Sequence, residues 1–64
     1  MRLTEFWTKM ERHFGSAYAD SIARDQVLPT LGGRTASDAL AAGEDVKMVW
    51  RAICEALEVP PRHR

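Results

Sequence analysis

The chain has 64 residues, enough for one small domain. Nine Lys and Arg balance nine Asp and Glu, and 45% of the residues are hydrophobic. That composition excludes a disordered charged tail and a protein held on nucleic acid by bulk charge alone. No apolar run approaches the ~20 residues of a bilayer span. The charged, apolar, small-residue order of a secretory signal is absent. One Cys forms no internal disulfide, so the expected compartment is the cytosol. Nine of the hydrophobic residues are Ala and one is Cys, which leaves 19 large apolar side chains for a core.

Helical spacing with Gly and Pro as punctuation runs through the whole chain. Thr4 is placed to cap a first helix from Glu5 to Phe14, with Leu3, Phe6, Trp7, Met10 and Phe14 on one stripe. Gly15 ends it in a positive-φ conformation. Ser16 then caps a second helix, Ala17 to Leu28, whose inner face is Tyr18, Ala19, Ile22, Ala23 and Val27; Pro29 stops it. Leu31 in the following loop is predicted to plug the core. Thr35 and Asp38 give a capping pattern for a short third helix, Ala36 to Ala42, closed by Gly43. Asp45 caps a fourth, Val46 to Glu58, with Val46, Val49, Trp50, Ile53 and Leu57 as its stripe. No period-two alternation predicts strands.

Catalytic and metal-binding constellations are missing from this pattern. Cys54 lies at the edge of an apolar helix face, and His13 and His63 are far apart in sequence. A thiolate nucleophile needs an adjacent base, and zinc needs three or four paired ligands. No Gly-rich phosphate-cradling motif occurs. The expectation is therefore no enzyme, no catalytic or metal-ligating residue and no cofactor. The first helix mixes Glu5 and Glu11 with Lys9 and Arg12 opposite its apolar stripe, unlike the basic face of a membrane-surface helix.

Thr35 to Cys54 has the spacing of a helix-turn-helix unit: Ala39 fifth, Gly43 ninth and Val49 fifteenth. Capped helical hairpins require the same residue types for packing alone. Asp38 and Glu44 occupy positions that such units usually fill with apolar residues. Lys47 and Arg51 face Asp38, Glu44 and Asp45 in this window, a net charge of −1. Gly32, Gly33, Arg34 and Thr35 form the best candidate anion site, from backbone amides, a helix start and one guanidinium. Arg62, His63 and Arg64 read as a solvated basic tail.

The blocks MRLTEFW, ARDQVL, LGGRT, ALAAG and VWRAICEAL with its following VP resemble a small actinobacterial family of domains of unknown function. The resemblance runs from Met1 to about Pro60, with the blocks in order and at the right spacing. It implies a short, stand-alone helical protein whose gene lies beside those of the RecA recombinase and its RecX regulator, and hence a link to DNA repair or recombination. It implies no catalytic or binding residues. Gln26 stands where the family often has His, and Glu44 where it often has an apolar residue. The first departure weakens a histidine-based site, and the second weakens the helix-turn-helix pattern.

The expected fold is all-α: a four-helix domain over residues 1–60 with a short third helix, a helix-turn-helix-like final hairpin and a basic tail over 61–64. Its expected core is Phe6, Trp7, Met10, Tyr18, Ile22, Val49, Trp50, Ile53 and Leu57. The leading functional expectation is a cytoplasmic, non-enzymatic protein-interaction module, accessory to DNA repair or recombination and using an exposed helix seam. It would be a monomer or small homo-oligomer with no membrane partner. The alternative is a weak helix-turn-helix-like nucleic-acid binder with contacts at Gly33, Arg34, Thr35, Lys47 and Arg51. A continuous basic face through Arg34 and Arg51 favours nucleic acid; a bare apolar groove favours protein.

Overall fold

The computed structural model describes residues 1–63; Arg64, the last position of the basic tail, lies outside the described residues. Helix α1 spans Leu3–Phe14 and buries Phe6 and Met10, with Trp7 and Phe14 half-buried against them. It begins before Thr4, which corrects the expected cap. The Phe6 amide donates to the Arg2 carbonyl at 3.1 Å, so the helix closes its first turn on extended Arg2 without a side-chain cap. Thr4 instead lies inside the helix, and its carbonyl accepts from the Thr8 hydroxyl at 2.9 Å.

Gly15 alone joins α1 to α2, which spans Ser16–Asp25. Its amide donates to the Glu11 carbonyl at 2.9 Å, and its carbonyl accepts from the Ala19 amide at 2.8 Å. One residue thereby terminates one helix and starts the next, which leaves Ser16 as the first residue of α2 rather than its cap. Gly15 sits at φ 83°, ψ 150°, a region that essentially only Gly adopts.

Helix α2 stops at Asp25, three residues short of the expected end. Gln26 turns extended, and Pro29 disfavours helical angles for Leu28. Val27–Leu28 then forms strand β1, antiparallel to β2 at Arg34–Thr35, with Val27 opposite Thr35 and Leu28 opposite Arg34. A 3₁₀ turn over Pro29–Leu31 links them. This strand pair corrects the all-α expectation: two-residue strands are too short to show an alternating pattern. Because strand neighbours point to opposite faces, Leu28 is buried while Val27 is 53% exposed, so Val27 is not an inner residue.

Helix α3, Ala36–Ala41, is capped as expected by the Thr35 hydroxyl, which accepts from the Asp38 amide at 3.1 Å. It closes in a Schellman motif: the Gly43 amide donates to the Leu40 carbonyl and the Glu44 amide to the Ala39 carbonyl. Helix α4, Val46–Ala56, starts on the Asp45 carboxylate, which accepts from the Lys47 amide at 3.2 Å. It ends with the Val59 amide donating to the Cys54 carbonyl at 2.9 Å.

Phe6, Met10, Leu28, Val49, Ile53 and Cys54 form the fully buried centre, with Ile22, Leu31, Trp50 and Val59 around them. Ala19, Ala23, Ala36, Ala39 and Ala52 are buried at the helix crossings. Tyr18, expected in the core, is 64% exposed: Ala19, Ile22 and Ala23 face inward, and Tyr18 lies about 100° around the helix from Ala19. Within the α3–α4 hairpin, Ala39 and Val49 are buried and Gly43 forms the turn, which packing alone accounts for. The helix-turn-helix expectation is not confirmed. No helix among the described residues is long and apolar enough to cross a membrane.

Candidate anion-binding groove

The five expected contact residues fall into two separate places. Gly33, Arg34 and Thr35 belong to the β1–β2 turn, whose polar groups are already committed. The Gly32 amide donates to the Pro29 carbonyl and the Gly33 amide to the Leu28 carbonyl, each at 3.1 Å. The Arg34 Nε–H donates to the Leu31 carbonyl at 3.0 Å, and its Nη2 lies 3.6 Å from the Glu44 carboxylate. The Thr35 hydroxyl accepts from the Asp38 amide. This geometry makes a clamped turn, with its glycine amides turned to internal carbonyls instead of an anion.

Lys47 and Arg51 stand one turn apart on the exposed face of α4. With Met1, Lys9, Trp50 and Glu55 they line a groove of about 390 Å³ between α4 and the N-terminal part of the chain. A second cleft, of about 510 Å³, is lined by Lys9, Arg12 and His13 of α1 and by Arg62 and His63. The latter two belong to a 3₁₀ turn at Pro61–His63.

That turn is docked on α1. A carbonyl oxygen only accepts, so His13 Nε2 carries the proton it shares with the His63 carbonyl at 2.6 Å. The Arg62 Nε–H donates to His63 Nε2 at 3.3 Å. Trp50 lies between the two clefts: its ring centroid is 5.7 Å from that of His13, and Lys9 Nζ stands 5.9 Å from it. Trp50 is only 2% exposed, and its indole N–H is buried without an acceptor among the described residues.

Charge is therefore segregated on a chain whose total is zero. Among the described residues, five Lys and Arg, namely Lys9, Arg12, Lys47, Arg51 and Arg62, line these two clefts, and of the acids Glu55 alone does. A shallow depression beside them adds Glu5. Arg12, Lys47 and Arg51 form no ion pair among the described residues. Sequence reasoning missed Lys9, Arg12 and His13 as a unit, although three- and four-residue steps put them on one helix face. Arg62, expected in a solvated tail, sits instead in a turn docked on α1, a contact across the length of the chain that leaves no local signal.

Cys54 is fully buried, out of reach of a substrate in solution. Among the described residues, no group of three His, Cys, Asp or Glu side chains could hold a metal ion.

A family model described as "Protein of unknown function (DUF3046)" matches residues 1–62. The chain belongs to that family. The resemblance read from the sequence blocks thus leads to a DUF3046 domain of unknown function. No curated protein and no solved structure matches the DUF3046 chain.

Proposed function

We propose that this DUF3046 domain is a non-enzymatic module that binds nucleic acid through phosphate contacts across the groove between α1 and α4. The observation that carries the proposal is the segregation of charge: Lys9, Lys47 and Arg51 line one groove in a chain of zero net charge. A repeating row of cations suits a polymer of repeating negative charge. The basic face runs through Arg51 and Lys9 rather than through Arg51 and Arg34. With Trp50 buried, the groove offers no aromatic platform for stacking bases, so binding is positional and independent of sequence. An accessory role in DNA repair or recombination is the setting in which such a face would serve. The sequence resemblance supports that setting.

Fluorescence anisotropy with single- and double-stranded oligonucleotides across a salt series tests the proposal. Three phosphate contacts give a log–log salt slope of roughly −2 to −3, and Arg51→Glu abolishes binding. Absence of binding at low salt, or binding indifferent to salt, would retire it. A protein partner is the second proposal, favoured by Tyr18, Val27 and Met48 lying 64%, 53% and 54% exposed. Its test is co-purification with tagged protein from native cells, and a reproducible lack of any partner counts against it.

A further inference from the structure

We infer that the cleft between α1 and the C-terminal 3₁₀ turn is a binding site for a phosphate monoester. Lys9 and Arg12 approach it from α1 and Arg62 from the turn, and no Asp or Glu lines it among the described residues. The two guanidinium charges of Arg12 and Arg62 match the dianion of a monoester better than the single charge of a diester or a carboxylate. Arg12, and Arg62 through its Nη groups while its Nε–H is held by His63, supply N–H donors that fit phosphate oxygens.

The site is held in place before any ligand arrives. His13 fastens the turn to α1 through the His63 carbonyl, while its own ring lies against Trp50. Two segments at opposite ends of the sequence thus present their cations to the same space. At about 510 Å³ the cleft has room for the phosphate and part of the group that carries it. This site stands apart from the proposed nucleic-acid groove, with which it shares Lys9 alone.

The test is a titration of the full chain with inorganic phosphate, followed by NMR, against sodium chloride at matched ionic strength. Saturable shifts centred on Arg12, His13, Arg62 and His63 are expected with phosphate and not with chloride. The double substitution Arg12→Gln/Arg62→Gln, at two exposed positions, weakens phosphate at least about tenfold, the equivalent of one charge-assisted contact. Equal shifts from the two salts, or phosphate affinity unchanged in the double variant, would overturn the assignment.

A 5′-phosphorylated oligonucleotide compared with its 5′-hydroxyl counterpart then identifies the source. Preference for the phosphorylated strand assigns a strand end, and saturable phosphate binding without that preference assigns a small phosphorylated molecule. Arg51→Glu is expected to retain the phosphate shifts while losing oligonucleotide affinity, so the two proposals fail separately. Loss of the phosphate shifts in Arg51→Glu would overturn the location of the site.

Discussion

His13 on α1 donates from Nε2 to the backbone carbonyl of His63, 50 positions later, at 2.6 Å. This bond turns the end of the chain from a trailing segment into one wall of a cleft.

Cutting that tie should free the turn without unfolding the helices. His13→Ala is expected to cost about 0.5–1 kcal/mol, the lower range for a hydrogen bond at an exposed site. NMR relaxation should show residues 61–63 moving on the ps–ns timescale in the variant. If their order parameters are unchanged, other contacts hold the turn and the bond is incidental.

Gly15 and Gly43 both have positive φ, at 83° and 85°, and a methyl group added at either meets no atom within 4 Å. Any cost of an Ala substitution is therefore backbone strain and not a clash. Gly43→Ala should destabilise by about 1 kcal/mol, the penalty for a left-handed L-residue. Gly15→Ala, in a region that essentially only Gly enters, should cost more, about 2–3 kcal/mol. Urea unfolding gives both values, and the reverse order would contradict this account.

Among the described residues, Glu58 is the non-Gly residue with positive φ, at 57°, where α4 ends. Its conformation lets the Val59 amide reach the Cys54 carbonyl. Glu58→Gly removes the left-handed penalty and a negative charge beside the helix C-terminus. After allowance for the added freedom of the unfolded chain, the substitution should stabilise by about 0.5–1 kcal/mol. A lower urea midpoint would show that Glu58 holds the chain in another way.

Arg34 is expected to matter for folding and not for binding. Arg34→Gln should cost about 1 kcal/mol through the lost bond to the Leu31 carbonyl. Glu44→Gln should cost under about 0.5 kcal/mol, since a half-exposed pair at 3.6 Å contributes little. Anisotropy should find oligonucleotide affinity in Arg34→Gln within about twofold of the parent, because a cation outside the groove releases few counterions. A large loss of affinity would return Arg34 to the binding face.

The parts legible in the sequence are those specified by neighbouring residues. Val49, Trp50 and Ile53 of the α4 stripe, the Asp45 and Thr35 caps and the Gly43 turn each need only a few adjacent positions and are present. Helix α4 nevertheless ends at Ala56, two residues short of the expected Glu58, and leaves Leu57 beyond it and half-buried. Tyr18 was misplaced because a large apolar side chain weighs more in a periodicity argument than Ala19 beside it. At a close helix crossing the small residue is the one that fits, and five buried alanines contribute through the approach they permit. The strands escaped notice because their pairing depends on a turn held by Arg34 across to Leu31 and Glu44. The candidate site was least legible of all. Arg34 had the right chemistry but spends it inside the fold, whereas Arg12 and Arg62 acquire their meaning only when the two ends of the chain meet.

The single-residue joint at Gly15 sets a limit on how this domain can vary in length. Each residue added to or removed from the start of α2 rotates the helix by about 100°. One added residue would carry Tyr18 toward the space now filled by Ala19, which is only 1% exposed. The spacing from Phe14 to Ala19 is therefore fixed by the dimensions of the core, in which Phe6, Met10, Ala19 and Ile22 are buried together.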